Sequence, residues 1–453
     1  MKVHFIAVGG SAMHNLAIAL HLKGFEVTGS DDEIFEPSKS RLAKHGLLPK
    51  QEGWNVNNIN EDLDAIILGM HARKDNPELL QAQALGLKIY SYPEYLYEQT
   101  KDKTRVVIGG SHGKTTTTAM VMHVLKALNM DFDYMVGAQL EGFDTMVKLT
   151  KQAPIAIFEG DEYLSSPIDL TPKFHWYKPQ VAMLTGIAWD HMNVFPTWEN
   201  YISQFKIFAD SMAKDAALVY FNDDVELVKL ADEQSNRLKT FAYNTLPYDN
   251  VDGISVVKWN GKEFPMQVFG DHNLQNMNGA RLVCNQIGIS DDNFLAAMQS
   301  FKGAAKRLQL LERDDSTNIY LDFAHSPSKL MATTNAMKQQ FTNRRLIAVM
   351  ELHTFSSLNK DFLPQYKNTM DKADVAVVFF NPSVLKHKKL PALSKEEVHK
   401  AFGRDDLLVM TESQELVQYL KKEEIVNSNI LLMTSGNFSG LKLNDLAKDL
   451  LNK

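Results

Sequence analysis

Apolar runs of four or five residues recur along the first hundred positions, separated by stretches of helical periodicity. Residues 4–8 (His-Phe-Ile-Ala-Val) suit a buried strand, and Gly9-Gly10 a tight turn. Residues 12–22 suit a helix, 26–29 a second strand ending at Asp31, and 65–68 and 87–90 two further strands. Strands that alternate with helices predict a parallel sheet with helices on its faces. The charged stretch 98–105 reads as a linker.

A second alternating unit follows. Val106-Val107-Ile108 suits a buried strand, and Val121, Val124, Leu125 and Leu128 keep the i, i+3, i+4, i+7 spacing of an amphipathic helix. Strands are expected at 155–158, 181–184 and 217–220. Residues 222–264 are polar with short β-like runs, and 273–286 carries a helical pattern. A third unit begins near residue 304, with strands at 319–321, 346–349, 375–378 and 430–433 and helices between them. The expected class is α/β throughout.

Composition narrows the field. At 453 residues the chain fits about three domains of roughly 150 residues each. A net charge of −7 argues against a general nucleic-acid binder, which would carry a basic face. Lys386-His387-Lys388-Lys389 is too short to reverse that view and reads as a solvated loop. The single cysteine, Cys284, can form neither an internal disulfide nor a cysteine-based zinc site, which fits a reducing compartment. No signal-peptide pattern and no apolar run of the ~20 residues a membrane span needs is visible. The expectation is a cytoplasmic protein with no nucleic-acid or membrane partner.

The densest chemistry lies at 109–118, Gly-Gly-Ser-His-Gly-Lys-Thr-Thr-Thr-Thr, between a strand and a helix. Glycines let backbone N–H groups curl around a phosphate, and the helix N-terminus adds partial positive charge. Lys114 can reach the outer phosphates and Thr115 can place its hydroxyl on Mg²⁺. The full pattern wants a further glycine where Ile108 stands, so the form is a shortened G-x-x-G-K-T. Glu159-Gly160-Asp161-Glu162 ends an apolar strand, where ligands of α/β sheets bind. Glu159 is either a ligand for hard Mg²⁺ or a solvated loop acid. Asp190-His191 follows another strand end, as metal ligand, proton carrier or ordinary hydrogen-bonded pair. Gly9-Gly10 with Asp31 reads either as a nucleotide turn or as a helix–strand packing turn. The dinucleotide fingerprint G-x-G-x-x-G fails there, which weakens a nicotinamide-dependent oxidoreductase. Lys306-Arg307 and residues 322–327 (Asp-Phe-Ala-His-Ser-Pro) are either surface charges or a cation for a transferring phosphoryl group and an acceptor for a ribose hydroxyl.

Together these segments resemble the Mur ligase family, ATP-dependent amide-forming enzymes of cell-wall precursor synthesis. The shortened loop is similar to the family's G-T-H-G-K-T-T, residues 159–163 to its E-A-D-E-Y, 190–192 to its D-H-M, and 272–276 to its H-N-x-x-N. The resemblance covers essentially the whole chain and implies three α/β domains. These are a Rossmann-like UDP-sugar domain (1–103), a central P-loop ATPase-like domain (104–303), and a Rossmann-like C-terminal domain (304–453) completing the ATP and amine sites.

The resemblance also implies roles. Gly110, Ser111, His112, Gly113, Lys114, Thr115 and Thr116 hold the phosphates of ATP. Asn273 and Asn276 grip adenine, Arg307 the γ-phosphate, and Asp322 with His325 the remaining ATP contacts. Thr115 and Glu159 ligate one Mg²⁺ and His191 a second. Lys114, His191 and Arg307 are the catalytic set. Gly9, Gly10, Ser11, Asp31 and His71 face the UDP-sugar, and Glu351, Gly436 and Phe438 the amine substrate. The family's N-x-E-x-D-H-x-D stands here as residues 186–193, Gly-Ile-Ala-Trp-Asp-His-Met-Asn, so three of its acidic or amide groups are lost. Lys206, fifteen residues after His191, lies where several members carry a carbamylated, Mg²⁺-binding lysine. It is expected to be either carbamylated or an ordinary surface lysine.

Two branches of the family act directly on UDP-N-acetylmuramate. One adds L-alanine. The other adds L-alanyl-γ-D-glutamyl-meso-diaminopimelate during peptidoglycan recycling. Tyr163, Glu351 and residues 436–440 (Gly-Asn-Phe-Ser-Gly) are similar to the tripeptide branch, and His353 to the alanine branch. The expected reaction joins the lactyl carboxylate to the tripeptide amine through an acyl phosphate.

Overall fold

The computed structural model describes every residue except 190–193, 252, 304–306 and 453. It divides into two compact units, Met1–Thr245 with Gln275–Met298, and Leu246–Leu274 with Gln299–Lys453.

The first unit holds two sheets. The four-stranded one places Lys2–Ile6 between Glu26–Ser30 and Ala65–Leu68, with Ile89–Ser91 beyond, all parallel. Its first strand stops two residues earlier than expected. Ala7 turns left-handed (φ 68°), and the Ser30 carbonyl accepts both the Ala7 and Val8 N–H at 3.0 Å. The seven-stranded sheet runs Lys239–Tyr243, Ala217–Phe221, Val181–Leu184, Thr104–Gly109, Ile155–Glu159, Phe132–Met135, Val147–Lys148. All its pairings are parallel except the last. The P-loop strand Thr104–Gly109 is therefore central, flanked by the two strands whose ends carry Glu159 and Thr185. One apolar cluster runs through both sheets, from Val3, Phe5 and Leu16 to Val107, Phe158 and Phe205.

Residues 98–105 form a short, ordered connection. The helix Tyr92–Glu98 leads by a turn into the strand Thr104–Gly109. Lys103 is buried against Asp133 at 2.6 Å. The Arg105 guanidinium donates to the carbonyls of Tyr177, Thr100, Lys103 and Lys178 at 2.7–3.1 Å. Lys103 and Arg105 are thus satisfied internally, whereas Lys101 and Asp102 are exposed.

The second unit has a three-stranded antiparallel sheet, Tyr248–Val251, Ile254–Trp259 and Lys262–Met266. This accounts for the short β-like runs of 222–264. Its larger sheet runs Gln309–Arg313, Asn318–Asp322, Ser428–Met433, Arg345–Leu352, Val375–Phe380, Leu408–Met410, and is parallel apart from the first pairing. Both faces of Arg345–Leu352 are covered. Leu346, Ala348 and Met350 join one apolar cluster, Ile347 and Val349 another. Burial on two faces is why this strand reads as an unbroken apolar run.

Candidate nucleotide and substrate sites

Val106, Val107 and Ile108 are fully buried and deliver the chain to Gly109 at the strand end. The turn then needs two left-handed residues, Gly110 (φ 116°) and Gly113 (φ 84°). A Cβ on Gly110 would collide with Thr185, and one on Gly113 with Asn276 Oδ1. Ser111 N–H donates to the Gly186 carbonyl at 2.9 Å, tying the loop to the neighbouring strand end. The helix Lys114–Ala127 starts here, with Thr116 buried in its first turn.

Lys114 Nζ donates to the Gly110 carbonyl at 2.6 Å and to Glu162 Oε2 at 2.8 Å. Thr115 Oγ1 donates to Glu159 Oε1 at 2.8 Å, and Gly137 N–H to Glu159 Oε2 at 2.7 Å. Burial pushes the Glu159 carboxyl up, against those two hydrogen bonds and the Lys114 charge. A hydroxyl and a buried carboxylate oxygen, side by side at a helix N-terminus, are the hard donors Mg²⁺ takes. A cation there would offset the burial cost of Glu159. The glycine turn and the lysine likewise fit a triphosphate. Asn276 is buried against Gly113, whereas Asn273 donates through Nδ2 to the Phe269 carbonyl at 2.9 Å.

The N-terminal turn is built differently. Asp31 Oδ2 accepts the Gly9 N–H at 2.6 Å, and a Cβ on Gly9 would stand 2.9 Å from that oxygen. Burial pushes the Asp31 carboxyl up to about 6, opposed by the Gly9 amide. The exposed His71 ring lies beside Gly10, and Ser11 opens the helix Ser11–Leu22. Gly9, Gly10, Asp31 and His71 are thus gathered at one sheet end.

In the second unit Asp322 ends its strand buried, accepting the N–H groups of Leu308 at 2.6 Å and Ala324 at 2.7 Å. Burial pushes its carboxyl up, and the Arg307 charge pulls it back. The Arg307 guanidinium lies over the Phe323 ring, 4.7 Å from its centroid. His325 Nδ1 donates to the Phe323 carbonyl at 2.7 Å. Glu351 is buried at another strand end, where Oε2 accepts the Phe438 N–H at 3.0 Å and the Thr434 hydroxyl. A Cβ on Gly436 would meet that same oxygen at 2.9 Å. Glu351, Gly436 and Phe438 are brought together, with His353 Nδ1 3.7 Å from Glu351 Oε1.

His191, with the rest of 190–193, and Lys306 lie outside the described residues. Lys206 is solvent-exposed and paired with Glu233 at 2.7 Å, which raises its ammonium pKa. Among the described residues no hydrogen bond or ion pair joins Lys206 to Thr115 or Glu159. Sequence reasoning gave no role to Glu162 or Tyr201, which stand around Lys114. Its place just past the strand end that carries Glu159 was a usable sign for Glu162. Nothing in the sequence marks Tyr201. Among the described residues no helix is long and apolar enough to cross a membrane.

Three family patterns match in order: the Mur ligase family catalytic domain over residues 2–104, the Mur ligase middle domain over 108–284, and the Mur ligase glutamate ligase domain over 306–438. A UDP-N-acetylmuramate–L-alanine ligase of Lactobacillus helveticus is 30% identical over 395 residues, 83% of this chain and 85% of its own. The chain belongs to the Mur ligase family. As a Mur ligase it is an ATP-dependent carboxylate–amine ligase that forms ADP and phosphate, and the family generally uses Mg²⁺. The solved structure of a UDP-N-acetylmuramate–alanine ligase from Thermotoga maritima shares its fold, with a TM-score of 0.72, 22% identity, and coverage of 100% of this chain and 98% of that one. A murein peptide ligase from Psychrobacter arcticus does so with a TM-score of 0.63, 20% identity and the same coverage.

Proposed function

We propose that this Mur ligase joins the lactyl carboxylate of UDP-N-acetylmuramate to the amine of L-alanyl-γ-D-glutamyl-meso-diaminopimelate, in the cytoplasm. The observation that carries the choice of amine is Glu351. It is the acid the tripeptide branch carries where the alanine branch has glutamine, and here it organises the loop holding Gly436 and Phe438. A carboxylate built into that strand end suits a large substrate held by an ordered loop better than a single small amino acid.

A carboxylate and an amine do not condense in water without activation, and bound ATP supplies the phosphoryl group that provides it. On this reading Lys114 and the loop amides hold the phosphates and stabilise charge on the group in transfer. Thr115 and Glu159 hold Mg²⁺. Asn276 bounds the base. Arg307, Asp322 and His325 keep the family's ATP roles, and His191 its metal role. Gly9, Gly10, Ser11, Asp31 and His71 orient the UDP-sugar. The divisions after residues 103 and 303 belong to the same proposal.

A second reading has its own support. Curated relatives at 27–30% identity are L-alanine ligases, and His353 beside Glu351 is similar to their motif. Phosphate release with UDP-N-acetylmuramate and Mg-ATP, driven by the tripeptide or by L-alanine, separates the two. The tripeptide is expected to support turnover at least about tenfold better, a difference of 1.4 kcal/mol in transition-state binding. Turnover with L-alanine alone would establish the second reading instead.

A further inference from the structure

The P-loop lysine is held by a relay that the roles above leave unused. Glu162 is 1% exposed. Its Oε2 accepts from Lys114 Nζ at 2.8 Å, and its Oε1 from the Tyr201 hydroxyl at 3.1 Å. Tyr201 is fully buried on the helix Trp198–Asp210, with its ring edge-on to Phe205 at 5.3 Å. The Tyr201 oxygen also lies 2.9 Å from Ser111 Oγ, within the P-loop. Ser111 Oγ in turn accepts the Ala188 N–H at 2.8 Å and stands 2.8 Å from the Ala188 carbonyl.

Proton counting orders the relay. A carboxylate paired with an ammonium only accepts, and a phenol has one proton. Tyr201 therefore donates to Glu162, and its oxygen accepts from Ser111. The Ser111 proton is shared between Tyr201 and the Ala188 carbonyl. Lys114 has three N–H donors. The Gly110 carbonyl and Glu162 take two, both on the protein side. The third can meet a phosphate oxygen without either bond breaking.

We propose that Glu162, oriented by Tyr201, is a positioning residue that sets where the Lys114 ammonium stands for a triphosphate. The relay through Ser111 links that position to the conformation of the loop. The ion pair is a mount for the lysine rather than a lock that nucleotide must open. This rests on the reading that the loop holds a triphosphate.

Calorimetric titration of the full chain with Mg-ATP, without sugar or amine, tests it. Glu162→Gln should weaken ATP binding by about tenfold, the scale of a hydrogen bond to a charged group. Tyr201→Phe, which keeps the buried ring, should weaken it by about threefold with little change in nucleotide-free melting temperature. In the Glu162→Gln background, Tyr201→Phe should add clearly less than its own threefold, because part of its effect runs through Glu162 and only the Ser111 contact remains. Unchanged or tighter binding by Glu162→Gln would overturn the proposal, as would full additivity of the two changes. If Glu162→Gln fails to fold, Tyr201→Phe alone decides on the same readout. Wild-type protein that binds no ATP would contradict the nucleotide-site reading itself, a result distinct from wild-type binding that Glu162→Gln leaves intact.

Discussion

Each parallel sheet of the first unit sends its first strand in chain order into a glycine turn and a helix, and the two turns carry opposite charge. At Gly109–Lys114 the turn ends on a lysine, and the carboxylates nearby are set against that lysine and a threonine hydroxyl. At Gly9 the turn amide is already occupied by the Asp31 carboxylate. The same backbone device thus stands beside a lysine in one turn and closes its Gly9 amide onto a carboxylate in the other. An acceptor such as Asp31 suits a ligand hydroxyl or N–H.

Lys114→Ala should break the comparison most sharply. Ligation should fall by at least about 10²–10³-fold, the loss typical of one preorganised electrostatic donor. UDP-sugar binding, followed by calorimetry, should stay within about twofold. A parallel loss of sugar binding would mean the two turns do not act separately.

Next come the paired glycine changes. Gly113→Ala forces a side chain into left-handed backbone and onto Asn276, and should weaken ATP binding by about tenfold, from a strain of 1–2 kcal/mol. Gly9→Ala presses on Asp31 and Ile34 and should weaken only the UDP-sugar, by a few-fold. Crossed effects in equilibrium titrations would count against separate sites. As a reference outside both turns, Glu351→Ala strips an acceptor from Phe438 and Thr434. It should raise KM for the amine and lower stability by about 1–3 kcal/mol in chemical denaturation, with ATP affinity unchanged.

The smallest effect is a pH dependence. Burial raises the Asp31 carboxyl from its ordinary 3.8 to about 6, so the folded chain binds this proton more tightly than the unfolded one. Its stabilisation is complete below about pH 4 and is lost as pH rises through about 6. Asp31→Asn should flatten the fall in melting temperature across that window. An unchanged slope would place the titrating group elsewhere.

Much of this was legible in the chain. Strand positions at Ala65–Leu68 and Val181–Leu184 follow directly from apolar runs, because strands buried on both faces admit little else. The loop glycines and Lys114 were legible because backbone geometry and phosphate chemistry restrict residue type. What escaped is long-range or self-satisfying. Lys103 and Arg105 read as part of a charged linker because their partners, Asp133 and the carbonyls near Tyr177, lie 30 or more positions away. The edge strand Gln309–Arg313 has no fully buried residue and carries charge at its end, so no apolar run announces it. Tyr201 looked like any helical aromatic, since a hydroxyl reaching Glu162 leaves no periodic trace.

The central claim is that ATP is spent on activating a carboxylate. The direct measurement is isotope transfer. UDP-N-acetylmuramate labelled with ¹⁸O in its lactyl carboxylate would be ligated to the tripeptide and the released phosphate analysed by mass spectrometry. One ¹⁸O per phosphate formed is expected, because the carboxylate oxygen leaves with the phosphoryl group. Phosphate carrying only solvent oxygen, released at the same rate, would contradict the account.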